Sequence, residues 1–403
     1  MRSRNQLLGV AYGTFILLGI SASLLNIAWD YMEVTFHVTL DKLGLLLAAG
    51  TVGYLVAAFS NGRLMARLGL GRLLLVGGGL MIAGSVGYVI TPVWGLLLGV
   101  AVLGSMGAGF IDAGMNTYIS AFHSATAMNW LHACYGVGTM IGPALVTFYA
   151  ITLELSWRLG YATLLVLDMA LLAILLVTLP RWTLQKKKKN DAAAAEIETP
   201  AATILETLRA PMVVWGLLLF FLFGGIEIGT GQLANSLLVD GRGVDPATAG
   251  WWVSIYWGMF TAGRILSGLF AARVAPQSVL RGGMILAIIG AALLWWNWGG
   301  QTGFLGLAVL GFALAPMFPM LTSGTPQRVG LRHTPNTIGF QLGVCGLGGA
   351  VLPGLAAALA AHAGLEVIGP ILTASAVAVL SIYTIMLRRE ALHREAQSIQ
   401  IPS

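Results

Sequence analysis

The chain has 403 residues, of which only 9% are charged and 57% are hydrophobic, and its formal net charge is +6. An ordinary soluble domain has about 25% charged residues, and a soluble protein this apolar would lack the polar side chains that cover a surface. The composition therefore excludes a soluble globular protein and indicates one that crosses a membrane many times.

Twelve apolar segments follow one another along the chain, each close to the length of about 20 residues that a helix needs to cross a bilayer. The predicted spans are 7–29, 43–60, 73–91, 95–120, 128–150, 157–179, 212–236, 247–271, 279–298, 302–323, 335–361 and 365–387. We therefore predict an all-α integral membrane protein with twelve transmembrane helices.

Lysine and arginine residues concentrate on alternate loops between these spans. With both termini in the cytoplasm, all but four of the 22 basic residues fall on cytoplasmic segments, as the positive-inside rule favours. Lys42, Arg158 and Arg242 fall outside, and Arg264 lies at the inner end of span 8. The positive net charge thus reflects membrane topology and gives no reason to expect nucleic-acid binding.

A long polar segment, which contains the basic run Lys186–Lys189, separates six spans from six. Such juxtamembrane lysines favour contact with anionic headgroups on the cytoplasmic side. The predicted domains are an N-terminal six-helix bundle (1–179), a cytoplasmic basic linker (180–211), a C-terminal six-helix bundle (212–387) and a cytoplasmic tail (388–403).

The two halves repeat each other in sequence. "GVGTMIGP" (136–143) in span 5 matches "GLGGAVLPG" (346–354) in span 11, and "NGRLMARLG" (61–69) is echoed by "AGRILSGLF" (262–270). Parallel repeats of this kind are typical of transporters that work by alternating access with a central site. The repeat predicts two pseudo-symmetric bundles.

The loop between spans 2 and 3 resembles the signature of the major facilitator superfamily, Gly-x-x-x-Asp-Arg-x-Gly-Arg-Arg. Gly62, Arg67, Gly69 and Arg72 are present, and Ala66 replaces the aspartate. The glycines permit a tight turn and a close approach of helices, and the arginines can bridge to helix C-termini. The resemblance covers essentially the whole chain and implies the twelve-helix fold of that family and secondary transport.

Span 4 is similar to the fucose permease-like branch of sugar:proton symporters, which carries a pattern like Gly-x-Gly-x-x-Glu-x-x-x-Asn. The matching positions here are Gly107, Gly109, Asp112 and Asn116. The resemblance implies that Asp112 is a protonation site. That branch also has a functional aspartate in span 1, where this chain has Asn26; Asp30, one turn further on, is the candidate replacement.

Asp112 and Glu227 lie about 15 or more residues into their spans, one in each half. An ionised carboxylate at that depth costs roughly 2.5–3.5 kcal/mol on insertion scales, and a bound proton removes most of that cost. Both are therefore predicted to carry protons across the membrane, unless a neighbouring helix neutralises them permanently. Asp168 in span 6 is expected to pair within its half.

Amide and aromatic side chains near these carboxylates suit a hydroxyl-rich ligand, because an amide both donates and accepts hydrogen bonds. His132 fits a proton relay or a substrate contact, and equally a helix-packing role with a carbonyl partner. The predicted substrate-binding residues are Asn116, Asn129, His132, Gln232, Asn235, Trp257 and Gln341.

The sequence thus favours proton-coupled symport of a small sugar or polyol. Proton antiport that exports drugs or metabolites is the main alternative, since the Gly-Pro of span 5 occurs in both classes, and a non-transporting sensor is a remote one. No catalytic or metal-ligand spacing and no phosphate-binding loop occurs in the sequence, so we expect no enzyme, metal or cofactor, with H+ or Na+ as the coupling ion. The expected setting is a bacterial inner membrane and a functional monomer.

Overall fold

The computed structural model of the chain describes residues 2–38, 41–182, 202–270 and 273–399. These residues are overwhelmingly helical, and no strand occurs among them. The α-helices are α1 (Arg2–Ser23), α2 (Leu25–Phe36), α3 (Asp41–Leu68), α4 (Leu70–Ile90), α5 (Trp94–Phe122), α6 (Ala125–Val146), α7 (Arg158–Thr178), α8 (Ile204–Arg209), α9 (Pro211–Ser236), α10 (Pro246–Phe270), α11 (Pro276–Trp296), α12 (Thr302–Leu314), α13 (Met317–Ser323), α14 (Thr325–Val329), α15 (Thr334–Ala363) and α16 (Ile368–Ile399).

Eleven helices within the described ranges are long and apolar enough to cross a membrane. The predicted eighth span is also a helix, α10, but its tryptophans, its Tyr256 and its Arg264 lower the mean hydropathy. Together they confirm the predicted all-α membrane fold with twelve spanning segments. Residues 183–201, which include Lys186–Lys189 and most of the predicted linker, lie outside the described residues.

Two predicted spans are interrupted. Span 1 consists of α1 and α2, which meet at Leu24, and span 10 divides into α12 and α13 at Pro316. A proline lacks the N–H that a helical bond needs, and its ring crowds the preceding turn, so the interruption at Pro316 has a local cause. Pro143 and Pro353 remain inside continuous helices.

Contacts divide the chain into two units. Unit 1 comprises Met1–Ile204 with Gly330–Gly343, and unit 2 comprises Leu205–Val329 with Val344–Ser403. Residues 330–343 belong to unit 1 because the start of α15 approaches α3, where the amide of Asn61 donates to the carbonyl of Pro335 at 3.2 Å. The division into two six-helix bundles at the linker stays a prediction.

Glycines allow α1 and α6 to cross at backbone contact in unit 1. A Cβ on Gly138 would collide with the carbonyl of Ile16 and the Cα of Gly19, and one on Gly19 would collide with the carbonyl of Tyr135. In a membrane, where no hydrophobic effect drives helices together, such small-residue contacts provide the packing.

Unit 2 repeats this crossing between α9 and α15. A Cβ on Gly348 would collide with the carbonyl of Phe221, and one on Gly224 would collide with the carbonyl of Cys345. Gly138 and Gly348 occupy matching places in the repeated segments of spans 5 and 11, so the sequence repeat is a structural repeat.

Gly138→Ala is expected to destabilise the protein by about 1–3 kcal/mol or more, the usual cost of overpacking, because the new methyl group meets main-chain atoms that cannot move aside. Thermal unfolding in detergent measures the effect. Gly79→Ala is the matched control, since no atom lies within 4 Å of a Cβ at that position; equal unfolding temperatures for the two variants would contradict the packing argument.

An arginine caps α4, the third spanning segment of unit 1. The guanidinium of Arg158, at the start of α7, donates to the carbonyls of Tyr88 (2.8 Å), Val89 (2.9 Å) and Thr91 (2.8 Å). These are carbonyls at the end of α4 that have no partner within the helix, and the negative end of the helix dipole favours a cation there.

Arg242 caps α11, the third spanning segment of unit 2, from a different place in the chain. Its Nη2 donates to the carbonyl of Leu294, near the end of α11, at 2.8 Å. The same guanidinium makes a bidentate pair with Glu366, with both bonds at 2.8 Å. Two of the three basic residues that the predicted topology places outside the cytoplasm therefore cap helices.

Arg158→Met should lower the free energy of unfolding by about 2 kcal/mol or more, because a buried carbonyl without a donor costs about 1–3 kcal/mol. Thermal unfolding in detergent tests this, with Arg63→Met as the control because the Arg63 side chain is exposed on α3. An Arg158→Met protein as stable as the control would show that water replaces the cap at no cost.

Candidate functional site

Asp112 lies in the interior of α5, half-buried and held by two hydrogen bonds. The Tyr54 hydroxyl of α3 donates to its Oδ2 at 2.6 Å, and Nδ2 of Asn116 donates to its Oδ1 at 2.7 Å. Tyr54 reaches the carboxyl because Gly109 lets α3 approach α5 closely: a Cβ there would lie 2.8 Å from that of Ala57.

Asn116 connects Asp112 to His132 on α6. Its side chain is fully buried, and its Oδ1 lies 3.3 Å from Nε2 of His132. Because the Asn116 amide N–H points at the Asp112 carboxyl, its carbonyl oxygen faces His132, so Nε2 must carry a hydrogen and donate. His132 also packs edge-on against Phe15, with ring centroids 5.4 Å apart.

The unit 1 cluster is therefore a continuous line of hydrogen bonds from His132 through Asn116 and Asp112 to Tyr54. Asn129 stands apart from it: its Nδ2 donates to the carbonyl of Ala125 on its own helix at 2.9 Å. Among the described residues no donor reaches the buried Oδ1 of Asn129.

Glu227, in the interior of α9, faces Arg264 of α10. Its Oε1 lies 3.9 Å from Nη2 of Arg264, and the side chains are 16% and 12% exposed. The separation is too long for a hydrogen bond, so the two groups interact as an ion pair. The Tyr256 hydroxyl donates to the main-chain oxygen of Glu227 at 2.7 Å and ties α10 to α9 at this level.

Aromatic rings surround the Arg264 side of this pair. The guanidinium lies over the Phe260 ring at 4.2 Å, a cation–π contact. Trp257, one turn earlier, packs edge-on against Phe260 at 5.7 Å and is 41% exposed. A Cβ on Gly231 would collide with the Trp257 ring, so Gly231 makes room for it.

The other predicted site residues lie in several places. Gln232 and Asn235 are exposed on α9, about one and two turns beyond Glu227, and Gln341 is buried near the start of α15. The side chain of Asp30 lies outside the described part of the structure. The assignment of these residues to substrate or proton binding stays a prediction.

The loop motif joins α3 to α4 through a single residue. Gly69 has φ +78°, a conformation that favours glycine. Gly62 lies against the start of α15, where a Cβ would meet the Cα of Asn336 at 2.7 Å. Arg67 and Arg72 are exposed.

Asp168 is buried in α7 and bonded within unit 1, since the Ser85 hydroxyl of α4 donates to its Oδ2 at 2.7 Å. The expected pairing within its half is therefore observed. In the described parts of the chain, no three His, Cys, Asp or Glu side chains are grouped to hold a metal ion.

Sequence reasoning missed two members of these clusters. Tyr54 gave no signal, because one tyrosine in an apolar span is ordinary. Arg264 did give one, as a charge inside a predicted span, but its proximity to Glu227 depends on the antiparallel packing of α9 and α10.

The family model of the Major Facilitator Superfamily matches residues 11–353, so the chain belongs to this superfamily. The fold of the chain is similar to that of FucP, the E. coli fucose:proton symporter, whose crystal structure is in an outward conformation (TM-score 0.77, 16% identity, 94% of this chain and 98% of that one). It also resembles the proton:xylose symporter XylE (TM-score 0.73, 15% identity, 93% of each chain).

A curated relative is the Bypass of stop codon protein 6 of Saccharomyces cerevisiae, 23% identical over 300 residues. The match covers 65% of this chain and spans 58% of the length of the yeast protein. The family and the fold are those of multi-pass membrane transporters, which act in a lipid bilayer on small-molecule substrates, and not those of enzymes.

Asn116→Leu should destabilise the protein by about 1–3 kcal/mol, because it removes a donor to the Asp112 carboxyl and the acceptor that faces His132 Nε2. Thermal unfolding measures the loss, and Thr117→Val is the control, since the Thr117 hydroxyl bonds along its own helix to the carbonyl of Ala113. Unfolding of Asn116→Leu at the control's temperature would argue against a bonded line of residues.

Proposed function

We propose that the protein is a proton-coupled symporter of a small sugar, polyol or related solute that works by alternating access. The observation that carries the proposal is a pair of intramembrane carboxylates, Asp112 in unit 1 and Glu227 in unit 2, each held against a polar partner from a second helix. Ionisable groups inside membrane spans are functional by default, because they are costly to keep there.

The surroundings of Asp112 suit reversible protonation. Asn116 can only donate through its Nδ2, but the Tyr54 hydroxyl can donate or accept. When Oδ2 gains a proton, the Tyr54 hydroxyl turns from donor to acceptor, and the 2.6 Å contact survives with its direction reversed. Asp112 thus holds or releases a proton without rearrangement of the helices, and His132 with Asn116 forms the other end of the line.

The surroundings of Glu227 suit coupling. Its charge is balanced by Arg264 without a hydrogen bond between the two side chains. A proton on Glu227 removes that balance, so the affinity of this region for other groups depends on whether the proton is bound. Such a difference between two protonation states is what links a proton to a substrate.

The amides of Gln232 and Asn235, which are exposed on α9, with Trp257 supply the donors, acceptors and aromatic face that hydroxyl-rich solutes use. FucP, a fucose:proton symporter, and XylE, a proton:xylose symporter, support the sugar class by fold alone. A bacterial inner membrane, cytoplasmic termini, a functional monomer and the absence of a bound cofactor complete the proposal.

The test uses purified full-length protein in liposomes that trap a pH dye, with a panel of sugars, polyols and sugar acids added outside. At least one solute should acidify the interior, and Glu227→Gln and Asp112→Asn should each reduce that signal by about tenfold or more while counterflow partly remains. Asp168→Asn is the matched control, because this buried carboxylate bonds to Ser85 away from both clusters, and it should keep proton coupling.

Each other outcome has a definite meaning. Unchanged accumulation in Glu227→Gln removes this residue from coupling. Uptake that follows a sodium gradient at constant pH replaces H+ with Na+. If no solute of the panel changes the internal pH, and cationic or amphipathic compounds cause proton release from the liposomes, antiport replaces symport.

A further inference from the structure

Helix α15 runs without a break from Thr334 to Ala363, but its contacts assign it to both units. Its residues up to Gly343 belong to unit 1, and those from Val344 onward belong to unit 2. One continuous helix therefore has its beginning in one unit and its remainder in the other. The residues at this boundary decide whether the two parts can move independently.

The first part of α15 is fastened to unit 1 by hydrogen bonds at its beginning. The amide of Asn61 on α3 donates to the carbonyl of Pro335 at 3.2 Å. Nδ2 of Asn336 donates to the carbonyl of Ala202 at 2.7 Å, and the Ala202 N–H donates to the carbonyl of Arg332 at 3.2 Å. Asn61 and Asn336 are 0% and 4% exposed, so breaking these bonds would leave buried polar groups without partners.

Two glycines hold the same part of α15 against α3. A Cβ on Gly339 would collide with the carbonyl of Ala58, and a Cβ on Gly343 would lie 2.9 Å from the Phe59 ring. The helices are therefore in close contact over the first part of α15, and this part is expected to move with α3.

The second part of α15 is held by α9, on a different side of the helix. Gly348 lies at backbone contact with Phe221, and a Cβ on Gly349 would collide with the Ile228 side chain. Gly343 and Gly348 point about 140° apart around the helix, since a turn takes 3.6 residues. Helices of different units thus hold the two parts of α15 on different sides.

Gly346 lies between these two sets of contacts and has no packing role. No atom lies within 4 Å of a Cβ at this position, whereas Gly339, Gly343, Gly348 and Gly349 each face a close contact. A glycine inside a helix is less favourable than an alanine, because its backbone loses more freedom on folding. What Gly346 supplies at this point is therefore backbone freedom.

We propose that Gly346 is the hinge of α15, at which the helix bends when the two units rearrange during transport. Residues 334–343 then stay with α3, and the residues after Gly348 stay with α9. The inference rests on the proposed alternating access and names a residue that permits it. Hinges are a few positions that absorb the backbone change, and they lie away from the chemistry.

The proline inside α15 does not offer the same freedom. Pro353 lies beyond Gly348, and its ring packs against Gly229 of α9. A bend at Pro353 would have residues of unit 2 on both sides, so it would not separate the part of α15 that belongs to unit 1. The hinge must lie between Gly343 and Gly348.

Gly346→Ala tests the hinge, and Gly354→Ala on the same helix is its matched control. No atom lies within 4 Å of a Cβ at Gly354 either, and both of its neighbours belong to unit 2. In the liposome assay, Gly346→Ala should lower the maximal rates of net uptake and of counterflow about fivefold or more, with the apparent affinity for the solute unchanged. Gly354→Ala should keep both rates.

Thermal unfolding in detergent separates a lost hinge from a damaged fold. Both alanine variants should unfold at or above the temperature of the unaltered protein, because the added methyl group meets no atom and alanine favours the helix. Slow uptake together with a lowered unfolding temperature in Gly346→Ala would give Gly346 a packing role and overturn the hinge.

Two double variants test whether the position of the glycine matters. Gly346→Ala/Val344→Gly keeps a glycine between the two sets of contacts, so uptake should recover to about half of the original rate or more. Gly346→Ala/Ala350→Gly places it beyond Gly348, and uptake should stay slow. Val344 is half-buried and Ala350 is exposed, so neither change removes a fully buried side chain.

Hydrogen exchange of the detergent-solubilised protein supplies a readout that needs no solute. The amides of residues 347–350 should exchange about threefold or more slowly in Gly346→Ala than in the unaltered protein, because local opening at the hinge becomes rarer. Gly354→Ala should leave the exchange of these four amides unchanged.

The outcomes separate the hinge from the proposed function. Uptake by Gly346→Ala as fast as by Gly354→Ala leaves symport standing and removes the hinge, and so does equal recovery in the two double variants. If no solute of the panel moves protons, the proposed function fails and hydrogen exchange alone decides: equal exchange in the unaltered protein and in Gly346→Ala removes the hinge as well.

Discussion

A charge inside a bilayer must be matched by a proton, a counter-charge or hydrogen bonds from the protein itself, because lipid supplies none of these. Asp112, Glu227 and Asp168 meet this constraint in three ways: a line of donors, an arginine at 3.9 Å and a single serine hydroxyl. These three arrangements respond differently when the carboxylate gains a proton. That difference makes Asp112 and Glu227 suited to proton coupling and Asp168 suited to helix packing.

The positions of these partners depend in turn on how closely the helices approach. Tyr54 reaches Asp112 because Gly109 brings α3 against α5, and Trp257 lies against α9 because Gly231 leaves room for its ring. These glycines carry no chemical signal in the sequence, but they let the helices approach closely enough for polar groups on different helices to make contact. The contacts of the candidate site therefore depend directly on how the helices pack.

The two arginines that the predicted topology places outside the cytoplasm also have their charges matched by the protein. Arg158 and Arg242 are exceptions to the positive-inside rule. Each donates to main-chain carbonyls at the end of the third spanning segment of its unit, α4 or α11. Both units therefore have an arginine cap on this segment, but the arginine comes from different places in the chain: Arg158 begins α7, and Arg242 follows α9. The repeat in the chain thus extends from glycine contacts in the interior to caps at the ends.

The sequence by itself determined the fold class and the repeat, because apolar runs of membrane length and matched glycine–proline segments are local signals that need no partner. It also determined which carboxylates lie inside spans, and that Asp112 and Asn116 share a helical face, since four residues make a turn. Only the tertiary structure decided their partners. Tyr54 and Arg264 come from helices distant in sequence, and Asn129, three residues before His132, turns to its own backbone. Such pairings depend on crossing geometry and helix rotation, which periodicity along one helix does not specify.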